Sequence, residues 1–177
     1  MTKQGGGNPM ARTMTEKVEL RLTDAKLPGE RVLYGVLAFR VGGVRTTMIG
    51  GAAGLAGSAG AATMAVITSR GRAAAPDVPL RLPGRIIVAL TDQRLLVFSV
   101  GGVIVGKPGK ILHSFTLDQV AWVGEPELIP GAAQALRVQI GMAGVGVLAF
   151  EHPRLQVTEG RTMIKRLLRE LPQSPAA

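Results

Sequence analysis

The sequence predicts a mainly β fold: a bent antiparallel sheet of seven strands, with one amphipathic helix at the C-terminal end closing it. Three observations predict it. Short apolar runs rich in Val, Ile, Leu and Phe recur between residues 32 and 150, punctuated by Gly, Pro and Asp. After residue 157 the apolar spacing changes from that of strands to that of a helix. The 177-residue chain has no cysteine and 3% aromatic residues, so a core of Val, Leu, Ile and Ala must hold it. A chain of this length can bury such a core without disulfides.

Residues 1–14, with Gly5 to Pro9 near their middle, are read as a disordered tail without the apolar region of a secretory signal. Val18, Leu20 and Leu22 alternate with charged residues, a short strand signal; a cap at Thr15 leaves a short helix open. Leu27 to Glu30 is a turn, and Val32 to Val41 is the first strand of the seven. Arg85 to Thr91 and Arg94 to Val100 flank Asp92-Gln93 as a hairpin. Ile111 to Thr116 and Val120 to Val123 follow, joined through Leu117-Asp118. Two prolines break the chain between Glu125 and Gly131. Leu136 to Ile140 and Val145 to Phe150 then pair across Gly141 to Gly144. The helix spans Thr158 to Leu171, with Thr158 as its cap. Met163, Ile164, Leu167, Leu168 and Leu171 form its apolar face.

One segment stands outside this pattern. Thr46 to Ser69 is 24 residues without a charge, including seven Ala and five Gly. Arg40 and Arg45 precede it; Arg70 and Arg72 follow. It is long enough to cross a bilayer but only weakly hydrophobic. A single span would split the first strand from the other six, so a re-entrant or surface insertion is the more coherent membrane reading. The residues expected to touch the membrane are Arg40, Arg45, Met48, Ile49, Leu55, Met64, Ile67, Arg70 and Arg72. The alternative is self-association, since Gly50, Gly54 and Gly57 allow close helix packing. A flexible loop or a small helix packed on the sheet is the plain structural reading.

Three stretches carry a family resemblance: Pro28-Gly29-Glu30-Arg31-Val32-Leu33, Leu90-Thr91-Asp92-Gln93-Arg94-Leu95-Leu96, and Leu112 to Val120. With the terminal helix they resemble the pleckstrin-homology (PH) superfold, and within it the small bacterial PH-like and GRAM-like domains. The resemblance covers residues 28–43 and 84–171. It implies a PH-like bent sheet or barrel capped by the helix, and a binding module for lipid head groups or proteins. It gives one domain over 15–172, in which 44–83 is a Gly/Ala-rich insertion with a Pro-rich linker between strands one and two, and 173–177 is a tail. No strict basic motif is matched, so head-group recognition is not carried over.

The residue inventory points away from catalysis. His113 and His152 lack metal-ligand spacing, His113 reading as a strand residue and His152 as part of a Glu-His-Pro turn. Ser99 and Ser114 lack a nucleophile motif, and no phosphate loop is present. Asp118, Glu125 and Glu127 read as solvated turn residues, and Trp122 as a core anchor. The net charge of +9 favours acidic partners. Nucleic acid is not expected, because basic runs and stacking aromatics are missing. The expectation is therefore a cofactor-free, non-enzymatic adaptor at the cytoplasmic face of a membrane, binding anionic lipid or protein. The alternative is a soluble interaction module that homo-oligomerises through the Gly/Ala segment.

Overall fold

The computed structural model describes residues 12–44, 66–69, 75–102, 106–131 and 134–172. Helix α1 (Met14–Leu22) precedes β1 (Val32–Arg40) and β2 (Val66–Ser69). Then come β3 (Arg85–Thr91), β4 (Arg94–Gly101), β5 (Lys107–Thr116), β6 (Val120–Gly124) and β7 (Glu127–Ile129). The chain ends with β8 (Ala135–Met142), β9 (Gly146–Pro153) and α2 (Val157–Glu170). The strands form one antiparallel sheet in the order β2-β6-β8-β9-β1-β3-β4-β5, with β7 on β8 beside β6. The sheet is open: β2 and β5 are its two ends.

The mainly β sheet with a C-terminal helix matches the sequence-based expectation. Two strands are additional to the predicted seven. β7 occupies the stretch expected to be broken by prolines; Pro126 and Pro130 flank the strand, where their missing N–H groups cost no ladder bond. β2 lies at the end of the uncharged segment, where Val66-Ile67-Thr68-Ser69 pairs antiparallel with Trp122 to Gly124 of β6. The insertion therefore returns to the sheet instead of lying wholly between strands. The Pro-rich stretch after it also docks. The Leu80 N–H donates to the Val147 carbonyl and the Val147 N–H to the Val78 carbonyl, both at 2.8 Å. That covers part of the β9 edge, which would otherwise present unpaired backbone.

The stretch containing Val18, Leu20 and Leu22 is a helix, not a strand. Thr13, not Thr15, caps it: the Glu16 N–H donates to Thr13 Oγ1, and the Thr13 N–H donates to Glu16 in return. Helical spacing puts Val18 and Leu22 on one buried face and leaves Leu20 54% exposed. The cap also shows that residues 12–14 belong to the fold and not to a tail; residues 1–11 and 173–177 lie outside the described residues. The demand for this helix comes from β3 and β4. Their apolar residues are consecutive, so both sheet faces carry them. Ile86, Val88, Leu90, Leu95 and Val97 face the main core. Ile87, Ala89, Leu96 and Phe98 face the other way and are covered by Val18 and Leu22 of α1.

α2 seals the main core with Met163, Ile164 and Leu167, as its spacing predicts, and Leu171, the residue after its end, joins them. Leu168 is only partly buried against that cluster. The helix starts after Gln156, whose capping position is two residues earlier than the predicted cap at Thr158. Trp122 is not a core anchor. It is half-buried, and its indole lies where a Cβ on Gly141 would sit, so glycine provides the floor for the ring. His113 is half-buried on β5, stacked on Phe115. Asp118, Glu125 and Glu127 are exposed, as expected, but Glu127 opens β7, where it pairs with Arg137, and is not in a turn.

The stretches Pro28–Leu33 and Leu90–Leu96 meet at one end of the sheet. Arg94 Nε and Nη2 donate to the two oxygens of Glu30 at 2.7 and 2.9 Å, and Nη2 also reaches the Ala25 carbonyl at 2.8 Å. Thr91 Oγ1 and the Leu27 N–H donate to the same carboxylate. Burial pushes the Glu30 carboxyl up, but the Arg94, Leu27 and Thr91 hydrogen bonds and the Arg94 charge together leave it below its ordinary value. Beside this pair, Asp92 accepts from both the backbone and the side chain of Arg31. Gly29, at φ +72°, makes the turn that delivers Glu30.

Candidate membrane-facing surface

The end of the sheet from which the insertion leaves is basic. Phe39 pairs with Arg85, and the Arg40 N–H donates to the Gly84 carbonyl at 3.3 Å, so the last residues of β1 stand beside the first of β3. Gly101 pairs with Lys107, which brings the end of β4 and the start of β5 to the same end. Arg40, Arg81, Arg85, Lys107 and Lys110 are all exposed there. The exposed carboxylate of Asp77 is on the same docked stretch as Arg81. Exposed apolar groups stand beside the charges: Val41 is 42%, Val78 60% and Val145 40% exposed.

Between the end of β1 and the docked stretch 79–82 lies a notch of about 440 Å3 along the β9 edge. Ala149 lines it, Arg40 and Arg81 flank it, and Val41 and Leu80 supply apolar wall. The root of the insertion is fastened at this place. The Glu151 carboxylate accepts the Gly42 N–H at 3.0 Å and the Arg137 Nη2 at 2.9 Å. Glu151 is buried, so its position and that of Gly42 are fixed together.

Of the residues read from sequence as membrane-contacting, Arg40 stands at the notch, and Ile67 lies in β2. Arg45, Met48, Ile49, Leu55, Met64, Arg70 and Arg72 lie outside the described residues, as do Gly50, Gly54 and Gly57 of the self-association reading. Arg81, Arg85 and Val78 were not singled out from sequence. Val78 and Arg81 fall in a stretch read as a linker because of its prolines, and Arg85 opens a predicted strand, although Arg81, Leu82 and Arg85 around Pro83 already mix charge with apolar character.

A second depression, of about 400 Å3, opens on the seam between α1, β1 and α2. Thr15, Tyr34, Leu37, Gln156 and Glu159 are among its lining residues. α1 approaches β1 closely here because residue 35 is glycine: a Cβ would meet Val18 and the Met14 carbonyl at 3.0 to 3.2 Å. Behind the seam is His152, which belongs to β9 and is fully buried, not part of a turn. Its Nδ1 is 3.1 Å from the Leu37 carbonyl, and its ring packs edge-on to Phe150 and beneath Gly160 of α2. Nε2 of His152 and Oε1 of Gln156 are buried without a hydrogen-bond partner among the described residues. Burial pulls the His152 pKa down to about 4; the Leu37 carbonyl and the Glu159 charge oppose this and are outweighed.

Among the described residues, no three His, Asp or Glu side chains stand together as a metal site. No described helix is long and apolar enough to cross a membrane. What the basic end offers is attraction for anions beside small exposed apolar groups. No protein-family model matches this chain, and no curated protein matches it in sequence.

Proposed function

We propose that this protein is a PH-like, non-enzymatic binding module that acts at an anionic membrane surface through the basic end of its sheet. One observation carries the reading. Arg40, Arg81, Arg85, Lys107 and Lys110 gather with exposed Val41, Val78 and Val145 at the end where the uncharged segment leaves the fold. Cationic side chains next to modest apolar ones suit the head-group region, where each Lys or Arg contributes about 1 kcal/mol. The sheet order supports a PH-like fold. β1, β3, β4 and β5 form one meander, β6, β8 and β9 a second, β9 joins β1, and a C-terminal helix packs on the core.

Sedimentation with vesicles of mixed anionic and zwitterionic phospholipid tests the proposal. Binding should occur at low salt, fall as salt rises towards a Debye length of about 8 Å at 0.15 M, and vanish on purely zwitterionic vesicles. Neutralising Arg40, Arg81 and Arg85 to Gln should weaken partitioning roughly 100-fold. These residues are exposed, so the variant should keep its melting temperature. No sedimentation at any salt would overturn the reading, and a concentration-dependent oligomer in its place would favour self-association.

A further inference from the structure

We infer that the depression between the N-terminal turns of α1 and α2 binds a small ligand with a protonated primary amine on an aliphatic stem. The inference is independent of the membrane reading, because the seam is a different place on the molecule. Its first ground is charge. In a chain of net charge +9, the one charged side chain among the described residues lining this depression is the carboxylate of Glu159. The second is hydrogen-bonding capacity. Of the two buried side-chain polar atoms without a partner among the described residues, Gln156 Oε1 belongs to a residue that lines the depression, and His152 Nε2 lies behind it under Gly160. With Nδ1–H donated to the Leu37 carbonyl, Nε2 is an acceptor, and so is Oε1. A buried acceptor without a donor is costly, and Gln156 Oε1 at the wall of the depression calls for a donor to be brought to it.

The end of β9 and the start of α2 bring these groups near one another. His152 is the penultimate residue of β9, Gln156 precedes the first residue of α2 and Glu159 lies in its first turn, and Gly160 lets that turn sit directly on the imidazole. Gln156 and Glu159 form the wall that meets the ammonium, and His152 backs it as a neutral ring. Met14, Val36, Leu37 and Tyr34 also line the depression and offer apolar surface to the stem. A tyrosine ring face also attracts a cation. An anion would be drawn by the N–H groups that open α2, but Glu159 already occupies that first turn and repels it. A neutral apolar ligand would leave the acceptors unpaired.

A titration of the full chain followed by amide NMR shifts tests this, with n-butylammonium, n-butanol and acetate as probes at equal ionic strength. n-Butylammonium should give saturable shifts at Thr15, Gly35 and Glu159, with n-butanol at least about tenfold weaker. Glu159→Gln should weaken n-butylammonium about tenfold, and Gln156→Leu should weaken it as well. Glu159 is exposed, so its variant keeps the fold, which the same spectra verify. Absence of saturable shifts, stronger binding of acetate, or an unchanged titration in Glu159→Gln would each overturn the inference.

Discussion

Glu30 and Arg94 are the only described charged pair in which both side chains are at most 10% exposed. They sit in stretches whose turn chemistry was readable from sequence, yet their pairing was not, because 64 residues separate them. The available signal was an opposite charge at the edge of each of two apolar runs. Removing one member of such a pair strands the other in the interior, which typically costs about 3–5 kcal/mol. Arg94→Met should therefore lower stability by that order in urea denaturation, and Glu30→Met with Arg94→Met should recover part of it. A single variant as stable as the parent would show that the pair does not anchor this end. Because the folded Glu30 pKa is lowered, its contribution is present above about 4.5 and is lost as pH falls below that value. His152 has the same direction in a different range. Its folded pKa of about 4 lies below the ordinary 6.5, so the unfolded chain takes up a proton first as pH falls. Stability from this group is full above about 6.5, declines down to about 4 and is level below that; the span is on the order of 3 kcal/mol. His152→Leu should flatten the pH dependence of unfolding between those limits, and an unchanged slope would assign it to other groups. Sequence reading placed His152 in a turn because Pro153 follows it, whereas β9 simply ends at that proline.

At the scale of elements, periodicity found every strand with a clear alternation or a long apolar run, and it found α2. It failed for α1 because nine residues with Val18, Leu20 and Leu22 satisfy a two-residue period as well as a helical one. What decides is the other side of the contact. The consecutive apolar residues of β3 and β4 require a cover on the outer face, and a helix presenting Val18 and Leu22 supplies it. α1 is therefore an integral part of the core. Val18→Asp would bury a charge between the helix and Ile87 or Phe98 and should destabilise the protein by several kcal/mol. Thr13→Ala removes only the cap and should cost about 1 kcal/mol. If both variants unfold at the parent midpoint, α1 is not docked in solution.

For the whole molecule, the uncharged segment was legible as an insertion but not in where it ends. A charge-free run gives no mark inside itself, so Val66–Ser69 could be seen as a strand only once β6 was there to pair with it. The distinction decides which deletion the fold tolerates. Replacing residues 46–65 by a short Gly/Ser linker spares β2 and both anchors of the insertion, Glu151 to Gly42 and the docked Val78–Leu80. Shortening a connection changes loop-closure cost by only about 0.6 kcal/mol per halving, so this variant should keep a cooperative transition near the parent midpoint. Extending the deletion through Ser69 leaves β6 paired only with β8 and uncovers its outer edge, so this second variant should lose stability and aggregate more readily. Equal stability of the two would show that β2 adds nothing to the sheet. Vesicle sedimentation of the first variant then separates the contributions to binding. Retained, salt-sensitive partitioning assigns binding to the basic end alone, whereas its loss in a folded protein assigns it to residues 46–65.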